Sequence, residues 1–281
     1  MSQGADAVLV RRIEELLAAD PGVSWSVSIS RDGQVLAEVN ADLVLRTASL
    51  GKVFLLAEVA RRIERGSLDR QAWLRADQVG MVADSGLWQF FGGVPLTVEA
   101  LAVLVAAVSD NLATNVLLSE VGLDSVQQLS GELGMERTRM LDRIRDARSP
   151  EDPIAPSVGT ARDFARYMAL MHAGRLISIP ISRQLRTWLA LGTDLSMVAS
   201  ALRLDPLAHS EDRWQLANKT GTDAGVRADA GAFESEGSTW AYAVIANWPA
   251  DDVNRPAEVI DGMRRMGKAL VDAAVLIDEA G

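Results

Sequence analysis

The chain has 281 residues, 48% of them hydrophobic, with 28 basic and 38 acidic side chains and a net charge of −10. This describes a globular protein with a substantial core, built as one large domain or as two lobes sharing a core. The acidic balance excludes a nucleic-acid surface and attraction to anionic membranes, and the absence of cysteine excludes disulfides, thiol nucleophiles and thiolate metal sites.

The first segment, MSQGADAVLVRRIEELLAAD, has the apolar spacing of an amphipathic helix. It lacks a basic start leading into an apolar run, so a cytoplasmic location is expected. No uninterrupted apolar stretch is long enough to span a bilayer. VSWSVSISRDGQVLAEVN alternates apolar and polar residues on both sides of Arg31-Asp32-Gly33, which predicts a β-hairpin turning at Asp-Gly. From Ser49 to about Leu191 the pattern is mostly helical. Its clearest helices are SLGKVFLLAEVARRIERG, with a stop at Gly66, and TVEALAVLVAAVSD, with Thr97 as N-cap.

Beyond Trp188, WQLANKTG, RADAGAFES and TWAYAVIANW read as three strands, with a turn at Glu236-Gly237 between the last two. PAEVIDGMRRMGKALVDAAVLID closes the chain as a helix. The order predicts an α/β (α+β) fold with an antiparallel five-stranded sheet flanked by helices. Residues 1–46 and 191–281 would form the sheet lobe and 47–190 an inserted all-helical lobe, with a site in the cleft between them.

Two histidines are present. His172 falls near the end of the helix ARDFARYMALMHAG, where it can meet the final carbonyls, and His209 falls in a polar stretch read as loop. With no third ligand candidate nearby, no metal and no cofactor are expected. Asn218-Lys219-Thr220 is a chance match to a glycosylation sequon.

Three short stretches can carry chemistry. In TASLGK, Ser49 and Lys52 lie three residues apart ahead of the apolar run Val53 to Ala57. Two readings fit: a capping serine with a surface lysine, or a nucleophile with its base one helical turn on. A serine–histidine–aspartate enzyme fits poorly, because Thr47 stands where an elbow glycine is needed and neither histidine has a suitable context. A lysine base must be neutral part of the time, and burial or a second cation would lower its pKa. Ser109-Asp110-Asn111 interrupts an apolar helical stretch, and burying three polar residues without a purpose costs free energy. It is either a helix–turn–helix joint or a proton-shuttle hydroxyl with a substrate-holding amide. Lys219-Thr220-Gly221, at the end of a strand, offers an ammonium, a hydroxyl and a close backbone approach to an anion.

Together these stretches resemble the Ser-x-x-Lys, Ser-Asp-Asn and Lys-Thr-Gly signature of class A β-lactamases and penicillin-binding proteins. Sixty residues separate Ser49 from Ser109, and 110 separate Ser109 from Lys219, as in the class A branch. The resemblance spans nearly the whole chain and includes Trp214, Leu141-Asp142-Arg143 at the start of an Ω-loop, and the helix around Ala161 to His172. It implies Ser49 as the acylated nucleophile, Lys52 as base or relay, and Ser109 as proton donor to the leaving nitrogen. Asn111 would hold the substrate amide, and Lys219, Thr220, Gly221 and Thr222 would line the anion site, supported by Arg227. The backbone N–H groups of Ser49 and Thr222 would form the oxyanion hole. Trp88, with Phe90 and Phe91, would form an aromatic wall or belong to the core.

The Ω-loop departs from the family. Two residues after Arg143, where the resemblance expects the deacylating glutamate, stands Arg145, which cannot act as a general base. Asp146 could substitute if the loop bulges by one residue. LGTDLSMVASALRLDPLAHSEDR is also longer than the family pattern before the Lys-Thr-Gly strand. The resemblance therefore implies a serine hydrolase acting on a β-lactam or a small amide or ester, with weak or redirected deacylation. The alternative is a protein that binds β-lactams or is acylated by them without turnover. A small-molecule substrate is expected, with no nucleic-acid or membrane partner and a monomer favoured.

Overall fold

The computed structural model describes residues 2–18, 22–208, 214–235, 237–252 and 255–278, so His209 and Glu236 lie outside the described residues. Helix α1 (Ser2–Ala18) leads into β1 (Ser24–Arg31) and β2 (Gln34–Val39). Asp32 and Gly33 join them with φ of 50° and 79°, the left-handed pair that a two-residue hairpin turn needs. The middle of the chain carries the short strands β3 (Leu45–Arg46), β4 (Trp73–Leu74), β5 (Leu96–Thr97), β6 (Arg139–Met140) and β7 (Ser157–Gly159). Among them run α2 (Lys52–Glu64), α3 (Val98–Val108), α4 (Asn111–Val121), α5 (Leu123–Glu132), α6 (Ala161–His172) and α7 (Ile179–Leu189). Strands β8 (Ala217–Asp223), β9 (Val226–Ser235) and β10 (Ser238–Asn247) follow, then α8 (Arg255–Asp278).

The two ends of the chain build one antiparallel sheet in the order β2-β1-β10-β9-β8. The period-2 alternation of β9 and β10 sorts side chains by size. Ala228, Ala230, Ala232, Ala241 and Ala243 face one core, while Phe233, Trp240, Tyr242 and Val244 face the other. Small residues let the helical part approach closely, and Phe54, Leu117, Phe164 and Met168 fill that side. Leu9, Ile13, Val259 and Met263 from α1 and α8 cover the opposite face. Each fully buried large apolar side chain contributes about 1.5–3 kcal/mol relative to exposure. Helix α6 is tied to the sheet by Ala161 N–H donating to Ser26 Oγ at 3.2 Å and by the Arg162–Glu38 ion pair.

The predicted hairpin, closing strands and last helix are present, and Thr97 caps α3 by accepting from Ala100 N–H. The middle is less helical than the periodicity suggests: residues 65–97 and 141–156 hold only two-residue strands and short turns among loops. Lys219-Thr220-Gly221 sits inside β8, which continues to Asp223, rather than at its end. Asn218 is buried in that strand, so the sequon has no exposed acceptor. His172 does not meet the α6 carbonyls. Its ring is buried with neither nitrogen hydrogen-bonded, and Glu234 lies 3.7 Å away.

Candidate active site

Ser49 sits in a single 3-10 turn, Ala48–Gly51, that runs directly into α2. Ala48 enters this turn with φ of 48°, a left-handed conformation that costs a non-glycine residue about 1–2 kcal/mol. Edge strand β8 packs against the turn, and a Cβ on Gly221 would collide with Thr47 O. The missing side chain of Gly221 is therefore used by the protein's own backbone.

Ser109 ends α3 in the left-handed region (φ 56°), with its N–H and that of Asp110 both donating to Leu104 O. Asp110 then caps α4, accepting from Ala113 N–H with Oδ1 and from Leu87 and Trp88 N–H with Oδ2. Asn111 donates from its backbone to Ser85 O and from Nδ2 to Ala83 O. The joint reading and the functional reading of Ser109-Asp110-Asn111 thus coexist: Asp110 makes the joint, which aims the other two.

The Nζ of Lys52 donates to Ser109 O at 2.7 Å, Asn111 Oδ1 at 2.8 Å and Ser109 Oγ at 3.2 Å. Lys219 Nζ donates to the same Ser109 Oγ at 3.0 Å and to Thr220 O at 2.8 Å. The Ser109 hydroxyl is thus gripped between two ammonium groups that occupy its acceptor sites, leaving its own proton free to be given away. Lys52 is 1% exposed and Lys219 3%. Burial, reinforced by Lys219, holds Lys52 well below the ordinary lysine value, against the pull of Asp110 and Asp84. Burial also brings Lys219 down to about 8, opposed by Asp194 and Asp229. These groups surround a cavity of about 820 Å³ whose wall includes Ser49, Ser109, Asn111, Lys219, Thr220 and Thr222.

The loop 141–156 closes one side of this cavity. Asp142 receives Arg145 Nε at 2.6 Å and Arg148 Nη1 at 2.7 Å, and Arg145 also reaches Asp152 at 3.1 Å. Burial disfavours the Asp142 carboxylate, yet the hydrogen bonds from Arg145 and Arg148 outweigh it and hold the carboxyl below its usual range. Asn115, on α4, grips Ile144 at both backbone atoms: Nδ2 donates to Ile144 O at 2.9 Å and Oδ1 accepts from Ile144 N–H at 2.8 Å. Asp146 accepts from Ala83 N–H at 2.8 Å. Ile144, Arg145 and Asp146 all line the cavity.

Comparison with known proteins agrees with this fold. A model of the β-lactamase enzyme family matches residues 8–274. The chain belongs to the β-lactamase enzyme family. It is 25% identical over 276 residues to a β-lactamase from Rhodobacter capsulatus, covering 93% of this chain and 86% of that protein. A β-lactamase structure from Sphaerobacter thermophilus superposes with a TM-score of 0.82 at 23% identity, covering 95% of this chain and 98% of that one. The structure of PBP-A superposes at 0.80 with 20% identity, covering 94% and 95%, and a variant of PBP-A has been captured as an acyl-enzyme with penicillin G.

Within this β-lactamase-family fold, the residues named from sequence divide clearly. Ser49, Ser109, Asn111, Lys219, Thr220 and Thr222 meet at one cavity, with Lys52 immediately behind Ser109. Trp88 does not line it: it is 1% exposed, packed in the core, and its Nε1 donates to Val94 O at 2.8 Å. Of the proposed aromatic wall, Phe90 and Phe91 are exposed. Arg227 lines an adjoining cavity of about 340 Å³, where it lies over Trp248 and donates to Asp223 O and Val226 O. Arg143 is exposed at the loop surface, with its carbonyl accepting from Arg148. Sequence reasoning missed Asn115 and Ser157. Asn115 lies one helical turn after Asn111, a spacing that could have drawn notice. Ser157 carries no local signal. Among the described residues, no acidic or histidine cluster could hold a metal ion.

Proposed function

We propose that this chain is a serine acyl-transfer hydrolase that opens a β-lactam, or a related small amide or ester, through an acyl-enzyme on Ser49 that is released slowly. The observation that carries this reading is the Ser109 hydroxyl held between Lys52 and Lys219 at 3.2 and 3.0 Å beside a cavity lined by Ser49. In this mechanism neutral Lys52 takes the proton of Ser49 as Oγ attacks the substrate carbonyl carbon. The carbonyl electrons move to oxygen, which the N–H groups of Ser49 and Thr222 stabilise. The C–N bond then breaks, Ser109 gives its proton to the departing nitrogen, and Lys52 returns one to Ser109. Lys219 and Thr220 hold the substrate's anionic group, with Arg227 adding positive potential from the adjoining cavity. Asn111 holds its amide.

Release requires a base that activates water. Arg145 is committed to Asp142 and Asp152 and cannot accept a proton. The carboxylate of Asp146 is engaged by Ala83 N–H. The same loop supports a second reading, a β-lactam-binding protein acylated without turnover. Intact mass spectrometry with a penicillin and a chromogenic cephalosporin separates them. Repeated turnover abolished by Ser49→Ala supports the hydrolase. A lasting adduct on Ser49 with no turnover supports the binding protein, and no adduct with any β-lactam refutes both.

A further inference from the structure

Behind the Ser49 turn, three groups of Thr47 and Ala48 converge on one residue of β7. Thr47 N–H donates to Ser157 O at 3.1 Å, the Thr47 and Ser157 hydroxyls are 2.6 Å apart, and Ser157 Oγ donates to Ala48 O at 2.6 Å. A hydroxyl has one proton, and that of Ser157 is spent on Ala48 O, so the Thr47 hydroxyl must be the donor between the two. The chain of bonds therefore runs in one direction, from Thr47 Oγ1 through Ser157 Oγ to Ala48 O. Thr47 and Ser157 are fully buried, and Ala48 nearly so. Gly51 leaves the room: a Cβ there would collide with Cβ and Oγ of Ser157.

The carbonyl at the end of this chain belongs to the same peptide unit as the N–H of Ser49. A trans peptide is planar, so its C=O and N–H point in opposite directions. Holding Ala48 O toward Ser157 therefore turns Ser49 N–H away from β7. That N–H lies in the first turn of its helix, where amide protons have no partner within the helix. Successive hydrogen bonds also polarise one another, which makes a peptide whose carbonyl is hydrogen-bonded a stronger donor at its nitrogen. Ala48 keeps its left-handed φ of 48° because its surroundings hold it there.

We infer that Ser157 is a positioning residue for the oxyanion hole: its hydroxyl, itself fed by Thr47, orients and polarises the Ala48–Ser49 peptide so that Ser49 N–H faces the reacting carbonyl oxygen. The inference rests on the proposed acylation of Ser49. Ser157 also adjoins the base of the loop 141–156, where Pro156 O accepts from Leu141 N–H.

The test measures the acylation rate constant and the pre-covalent dissociation constant separately for wild type, Ser157→Ala and Ser157→Cys, together with the carbonyl stretch of the acyl-enzyme by difference infrared spectroscopy. Ser157→Ala should lower the acylation rate by roughly tenfold, less than the ~10²–10³ lost when an oxyanion donor itself is removed. The dissociation constant should hold, and the acyl carbonyl stretch should rise as its hydrogen bond weakens. Ser157→Cys keeps a side chain of similar size with a weaker donor, and should fall between the two even if the alanine variant folds poorly. Thr47→Val, which spares the bond to Ala48 O, should have the smaller effect. An unchanged rate and stretch in folded Ser157 variants would overturn the inference alone. Absence of any acylation in wild type would instead overturn the proposed function on which it depends.

Discussion

Replacing Lys219 with methionine should make the protein more stable while sharply slowing acylation. Lys219 is fully desolvated, and its pKa falls from 10.5 to about 8. The folded state therefore binds fewer protons than the unfolded state between those values, so stability rises with pH across that window. Below pH 8 both states are protonated, and the full cost of keeping the charged form buried, ~3 kcal/mol, is present. Methionine fills similar space without the charge, but forfeits the bonds to Ser109 Oγ and Thr220 O, each worth about 1 kcal/mol. The expected gain at pH 7 is thus ~1–2 kcal/mol, and it should vanish or reverse by pH 10. Because Lys219 also depresses Lys52, the variant's Lys52 pKa should rise, moving any residual acylation to higher pH. Urea unfolding of both proteins at pH 7 and pH 10, alongside acylation rates across the same range, measures each part. A Lys219→Met variant less stable than wild type by the same amount at both pH values would refute the reasoning.

The loop 141–156 yields a paired prediction. Ile144→Glu adds a carboxylate to the residue whose backbone Asn115 pins beside the cavity, and should speed loss of the acyl adduct by about tenfold or more. Arg145→Glu instead sets a third carboxylate against Asp142 and Asp152, so it should lower the melting temperature without speeding release. Time-resolved mass spectrometry and thermal melts read the two effects, and faster release from Arg145→Glu alone would contradict this view of the loop. A third prediction concerns Asp229, which burial pushes up to about 7 against hydrogen bonds from Asn218, Ala199 N–H and Tyr242. Its folded state holds an extra proton between 3.8 and about 7, so its contribution is full below pH 4 and is lost as pH rises through 7, by ~4 kcal/mol. Asp229→Asn should remove that slope from the unfolding free energy measured between pH 4.5 and 7.5, and parallel curves for the two proteins would count against it.

Much of the fold is legible because its elements obey simple periods. The alternation around Asp32-Gly33 is a hairpin because the turn needs two left-handed residues and aspartate-glycine supplies them. Ala228, Ala230 and Ala232 of β9, like Ala241 and Ala243 of β10, recur at every second position because the sheet has a core on both faces and the helical side leaves room there only for small residues. Residues 65–97 were harder to read: they lie in loops held by caps and by hydrogen bonds to distant groups such as Asp110, which leave no periodic trace.

At the site, the motif residues were visible as interruptions, polar where the period demanded apolar, and the structure brings them to one cavity. What the sequence hid was orientation. Trp88 sits in the same short loop as the cavity residues Ala83 to Ser85, yet Asp110 turns its backbone inward and the ring enters the core. Counting two residues from Arg143 selects Arg145, but loops have no period, and it is Ile144 that Asn115 holds at both backbone atoms. The same reasoning applies to Ser49. Ser49 and Lys52 at a spacing of three lie on one helical face, yet the described hydrogen bonds of Lys52 Nζ go to Ser109 and Asn111. The helical spacing brings Lys52 close to Ser49, and the left-handed Ser109 places the hydroxyl and carbonyl that receive its hydrogen bonds. Such departures from local preference persist only where surrounding contacts enforce them, so they mark the site more sharply than the motif letters do.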